Sequence, residues 1–123
     1  MTEATQLVDR YIDMWNETDP AKRKALVAEI WTDSPTYVDP VLRGDGREGI
    51  DAMVAQVHER FPGHRFRRTS EVDGHNDRAR FGWALGPEDG PPVVMGVDFA
   101  AISDGRLASV TGFFDATPQP PAS

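Results

Sequence analysis

Apolar positions recur along this chain with two different periods, and the change of period divides it in two. Near the start, Leu7, Val8, Tyr11, Ile12 and Trp15 fall at helical spacing, with Asp9, Arg10, Asp13 and Asn16 on the other side. Asp19-Pro20 reads as an N-cap followed by proline in the first turn. The spacing predicts a second helix over Pro20–Trp31, with Leu26, Val27, Ile30 and Trp31 buried, ended by Ser34-Pro35. A short extended segment, Thr36 to Val41, puts Tyr37, Asp39 and Val41 on one face. After the loop Gly44-Asp45-Gly46, a third helix carries the stripe Ile50, Met53, Val54, Val57 and Phe61, stopped by Pro62-Gly63.

From His64 onward the pattern is that of strands: His64–Val72, Arg78–Leu85, Val93–Ile102 and Leu107–Asp115. The expected turns are Asp73–Asn76, Gly86–Pro92 and Asp104-Gly105, the last a two-residue hairpin signal. Three helices followed by an antiparallel meander make an α+β domain over residues 1–115, with a proline-rich tail over 116–123 expected to be disordered. The third strand is apolar on both faces. Val93, Met95, Val97, Phe99 and Ala101 alternate with Val94, Gly96, Ala100 and Ile102. In the fourth, alternation sets Leu107 and Phe113 opposite Val110 and Phe114. Three helices cannot cover both faces of such a sheet, so a homodimer through the outer face is expected.

Charge narrows the partners. The net charge of −7 repels phosphate backbones and anionic bilayers, so neither nucleic acid nor a membrane is an expected partner. The polar start of the chain and its lack of cysteine fit a cytoplasmic protein, and they exclude disulfides and thiolate sites. His58, His64 and His75 lack metal-ligand spacing, and no metal is expected. Gly44 to Gly49 satisfies G-x-G-x-x-G, but no buried parallel strand precedes it and no βαβ series follows, so a dinucleotide site is rejected.

Three residues carry candidate chemistry. Asp98 lies inside an apolar strand, where a carboxyl is costly unless it is paired or protonated. Either it becomes a neutral acid able to donate a hydrogen bond, or it meets solvent or an arginine such as Arg68 or Arg80. Asp39 is either a general base at a pocket wall or an ordinary Asp-Pro turn. Tyr11, on a buried helical stripe, is either an oxyanion donor or a core tyrosine bonded to backbone.

The order of elements over Thr5–Asp115 resembles the NTF2-like superfamily, and local segments resemble its ketosteroid isomerase and SnoaL-like polyketide cyclase branches. Arg10-Tyr11-Ile12 is similar to the segment holding that family's oxyanion-hole tyrosine. Val38-Asp39-Pro40-Val41 is similar to the one holding its general base. Val93 to Phe99 is similar to the strand holding its protonated aspartic acid, and Gly46 to Ile50 to its loop-to-helix junction. The resemblance implies a cone-shaped fold, three helices on a curved antiparallel sheet, with a dead-end pocket. It implies an enzyme that needs no cofactor and acts on a small apolar or carbonyl-containing molecule. Asp39 would remove a proton α to a carbonyl, and Tyr11 with neutral Asp98 would stabilise the enolate oxygen, in an isomerisation or a cyclisation. Trp83, Phe81, Phe114 and Trp15 would form apolar walls, with His64 and Arg68 able to reach the cavity. Two other uses of the cone are a binding module without turnover and an epoxide-hydrolase or dehydratase type of lyase. The hydrolase needs an Asp-Arg-Asp set, for which Arg68 or Arg80 would supply the cation.

Overall fold

The computed structural model describes residues 3–116. Helix α1 (Glu3–Asn16) buries Val8, Tyr11 and Trp15 of the expected stripe together with Met14, which the spacing did not single out, and leaves Leu7 and Ile12 half-buried. Helix α2 (Pro20–Ile30) starts where Asp19 accepts a hydrogen bond from the Ala21 N–H at 2.9 Å, with Pro20 in the first turn. It ends at Ile30, one residue earlier than expected. Trp31 is extended and opens strand β1 (Trp31–Val38), and its buried indole donates to the Met14 sulfur at 3.2 Å. Arg23, almost fully buried on α2, holds Asp51 at 2.7 Å and the Glu17 carbonyl at 3.1 Å. Asp51 lies on α3 (Gly46–Arg60), so this pair ties the helices together.

Strand β2 (Arg43–Asp45) overlaps the expected Gly44-Asp45-Gly46 loop and pairs with the end of β1. Next come β3 (His64–Arg68), β4 (Asp73–His75), β5 (Arg78–Pro87), β6 (Val94–Ser103) and β7 (Arg106–Ala116). Strand β3 is shorter than expected because the Ser70 hydroxyl, not a backbone carbonyl, accepts the Gly82 N–H. The stretch expected as a turn is largely β4, paired with β5, and the chain reverses after it, where Asn76 has φ 51°. Asp104-Gly105 turns as expected, both residues at positive φ, as a two-residue hairpin between right-twisted strands requires. Ala116, expected in the tail, closes β7, and the rest of the tail lies outside the described residues.

The strands form one curved sheet in the order β2-β1-β7-β6-β5-β3, with β4 on β5. The sheet is mixed, because β1 runs parallel to β7. The expected meander, β3, β5, β6 and β7, is antiparallel, and the parallel pair is added to it because the chain crosses from β1 through α3 and the meander and returns beside β1 only at its end. One correction concerns β7. Leu107 and Val110 are both buried, although alternation put them on opposite faces. Ala101 pairs with Ser109 while Ile102 pairs with Leu107, so Ala108 is an extra residue and the bulge resets the parity.

The three helices cover the inner face of the sheet. On the outer face Met95, Phe99 and Phe113 are 36%, 43% and 52% exposed, and the rings of Phe99 and Phe113 meet edge to face at 5.6 Å. We propose that a second copy of the chain covers this patch. The native protein should then sediment at twice its 13.6 kDa mass, and Phe99→Lys should sediment as a monomer that keeps its circular dichroism. A monomeric native protein would remove the proposal.

Candidate active site

Beneath the helices lies a cavity of about 270 Å³. That is just under the usual ~300–1,000 Å³ of small-molecule sites, so a compact ligand fits it. Its wall is mainly aromatic and aliphatic, and its charged members are Asp39, Asp98 and Arg60. The strands and helices that meet here explain the polar groups. Tyr11 sits in the middle of the buried stripe of α1 and reaches across to β6. Its hydroxyl bonds Asp98 Oδ2 at 2.9 Å. Trp83 on β5 donates its indole N–H to Asp98 Oδ1, also at 2.9 Å. Asp98 itself is 3% exposed and, among the described residues, meets no cation.

Asp39 follows β1 directly. Its Oδ1 accepts the backbone N–H groups of Val41 at 2.8 Å and Leu42 at 2.7 Å, and its Oδ2 accepts the Tyr37 hydroxyl at 2.7 Å. The Asp-Pro turn and the pocket-wall carboxylate are therefore one and the same arrangement: backbone donors clamp one oxygen while the group still faces the cavity. The two acids come together around Gly112 of β7, which pairs with Asp98. A methyl group placed on Gly112 would lie 2.8 Å from Asp98 Oδ1, 3.1 Å from Asp39 Cβ and 3.3 Å from the Tyr37 hydroxyl. Glycine there is a condition of the convergence.

Burial is the first cause of the electrostatics. It pushes the Asp98 carboxyl from 3.8 up to about 7, and the Asp39 charge adds to the rise. The hydrogen bonds from Tyr11 and Trp83 pull the other way without prevailing. Burial also raises the Tyr11 phenol well above its ordinary value, and the Asp98 charge adds to the effect. Tyr37 is raised for the same reasons, with Asp39 contributing. Both phenols therefore remain donors, and the groups that face Asp98 from α1 and β1 are Tyr11, Tyr37 and Asp39.

The structure brings Tyr11, Asp39 and Asp98 to one cavity, with Trp15, Trp83 and Phe114 in its wall. Phe81 lies behind the wall, edge-on to Tyr11 at 5.8 Å. His64 tilts against Phe61 and bonds the Pro62 carbonyl at 3.1 Å, away from the cavity. Arg68 pairs with Asp9 at 3.0 Å on the far side of α1, and Arg80 pairs with Asp73 at 3.0 Å on the exposed side. Neither arginine reaches Asp98, because strand parity turns Arg80 outward and Asp9 captures Arg68. Sequence reasoning passed over Tyr37 and Gly112. Tyr37 shares the face of Asp39 two residues away, and a glycine inside an apolar strand signals a close approach.

The chain is similar to known proteins over nearly its whole length. Residues 8–110 match the SnoaL-like domain family model. A candidate isomerase of the SnoaL-like family from Agrobacterium tumefaciens is 38% identical, with a TM-score of 0.89, over 94% of this chain and 100% of that one. A candidate ketosteroid isomerase from Kribbella flavida superposes with a TM-score of 0.69 at 21% identity, covering 98% of this chain and 84% of that one. A candidate SnoaL-like polyketide cyclase from Jannaschia does so at 0.68 and 23%, covering 95% and 94%. No curated protein matches in sequence.

Two measurements follow from the site's geometry. Burial raises the Asp98 carboxyl from 3.8 to about 7, so the folded state holds the proton more tightly than the unfolded chain between those values. Stability is highest below the unfolded value and falls as pH rises through the folded one, by about 4 kcal/mol in all. Asp98→Asn, which keeps the shape without the charge, should melt higher than the native protein at pH 8 and gain nothing at pH 4. Equal melting differences at both pH values would contradict the raised carboxyl. Gly112→Ala should lower stability by roughly 1–3 kcal/mol in urea unfolding, because its methyl group collides with both acids.

Proposed function

The chain belongs to the SnoaL-like family, and from that membership and the cavity we propose that it is an enzyme removing a proton next to the carbonyl of a small, largely apolar substrate. One observation carries the reading. A buried acid without a cation and a second, clamped carboxylate face one apolar cavity, with a phenol beside each. Such a division of environments suits opposite roles.

In this reading Asp39 is the base. Its Oδ2 has a second lone pair besides the one bonded to Tyr37, and that lone pair takes the proton from the carbon. The C–H electron pair moves into the bond toward the carbonyl carbon, and the carbonyl oxygen becomes an oxyanion. Tyr11, backed by neutral Asp98, donates to that oxygen. The enolate has two ways onward. Asp39 can return the proton to a different carbon, which isomerises the substrate, or the enolate carbon can attack a second carbonyl, which closes a ring. Both outcomes need the same three groups. The largely apolar wall lowers the local dielectric, which strengthens fixed donors that meet the oxyanion.

The other two uses of the cone lack such support. A binding module would hold Asp98 ionised against an arginine such as Arg68 or Arg80, and both of these pair elsewhere. The Asp-Arg-Asp set of the hydrolase would need a cation at Asp98; Arg68 and Arg80 pair elsewhere, and Arg60, though in the cavity wall, makes no ion pair with Asp98 among the described residues.

Proton exchange tests the reading with any ketone that enters the cavity. Small cyclic ketones incubated with the protein in deuterated water should gain deuterium at the carbon next to the carbonyl, read by NMR. Asp39→Asn should slow that exchange by ~10²–10⁴-fold. Tyr11→Phe should slow it by about 10²–10³-fold, and Asp98→Ala by about two decades, with the fold kept. The native rate should fall above pH 7 as Asp98 ionises. Exchange that survives in Asp39→Asn would refute the assignment of the base.

A further inference from the structure

Trp83 does more than line the cavity. On β5 it lies opposite Gly96 of β6, two residues along from Asp98. A methyl group on Gly96 would collide first with the Phe113 carbonyl oxygen of β7 and then with the indole, 2.8 Å from Cζ2 and 3.1 Å from Cε2. Glycine at 96 thus leaves room both for the β7 backbone and for the ring to lie against β6 with its N–H toward Asp98. Phe66 and Phe114 hold the ring from other sides, each at 5.9 Å between centroids. The ring is 6% exposed, and its nitrogen bonds Asp98 Oδ1 at 2.9 Å.

An indole nitrogen can only donate. The oxygen it meets must accept in every protonation state of Asp98, and a carbonyl oxygen accepts better than a hydroxyl oxygen. The other oxygen, Oδ2, lies 2.9 Å from the Tyr11 hydroxyl. Between a carboxylic acid and a phenol, the stronger acid donates. We propose that Trp83 is a positioning residue: its indole N–H makes Oδ1 the carbonyl oxygen of neutral Asp98, places the acid proton on Oδ2 against Tyr11, and so turns the Tyr11 hydroxyl proton into the cavity. Asp98 then acts on the substrate through Tyr11. When Asp98 is ionised, Tyr11 turns back to it and the cavity loses its donor. The inference rests on the reading of Tyr11 as the group that meets an oxyanion.

The indole proton reports on this directly. In the native protein, the Trp83 N–H resonance should shift with pH through the same midpoint as the Asp98 carboxyl. An indole resonance that ignores the Asp98 titration would overturn the proposal without any variant. The second measurement uses 4-nitrophenol as an aromatic oxyanion, with affinity expressed for its ionised form. Native binding should weaken above the Asp98 midpoint. Trp83→Phe keeps an aromatic ring but loses the donor that favours the ionised carboxyl. Its alkaline limb should move up by about one pH unit or more, and its affinity on the acid plateau should drop roughly tenfold. A limb that stays in place while affinity falls would make Trp83 a wall and nothing else, leaving the enzyme reading intact. A coupled indole titration with no phenolate binding at any pH would instead overturn the oxyanion site that Trp83 is proposed to serve.

Discussion

The site depends on a carboxyl buried without a counter-charge. An ionised group in such surroundings is disfavoured, and a cation nearby is the usual remedy. Here the remedy is two neutral hydrogen-bonding partners, a phenol from α1 and an indole from β5. They satisfy both oxygens and leave the charge uncompensated. The proton therefore stays on to near neutral pH. An arginine in place of either partner would keep Asp98 ionised and end its use as an acid.

The fold supplies this arrangement through its edges and bulges as much as through its core. The parallel pairing of β1 with β7 brings Tyr37 opposite Val110, and the chain just beyond it delivers Asp39 beside Gly112. The bulge at Ala108 lets Leu107 and Val110 both face the helices. The sheet's closed end is thus packed by Trp31, Leu107 and Val110, all almost fully buried, and the polar groups stand above it.

Local features of the sequence carried much of this. The stripe of α1, the capped start of α2, the stripe of α3 and the Asp104-Gly105 turn are all local, and each was readable from spacing or turn chemistry. The candidate acids were legible for a related reason: a carboxyl in an apolar strand and an Asp-Pro step are conspicuous. Contacts between distant segments were not legible. Nothing near Trp31 tells that it leaves the helix to pair with Leu107. Nothing near Arg68 tells that Asp9 captures it. Parity along β7 failed at one extra residue, which depends on the partner strand. Trp83 read as an apolar wall because its nitrogen's partner sits on another strand.

Two glycines show how narrow the tolerance is. Gly96 gives the indole room to lie along β6, and Gly112 gives the two acids room to face each other. Both lie inside strands, where glycine weakens the element and adds no apolar contact of its own. Their cost is borne by the sheet and their effect falls on the cavity. A larger residue at 96 would press on the Phe113 carbonyl of β7 and on the indole that bonds Oδ1. One at 112 would press on Asp98 from the opposite side and push Asp39 and Tyr37 away. Each glycine therefore controls one side of the same carboxyl, and the chemistry open to the cavity follows from the space they leave.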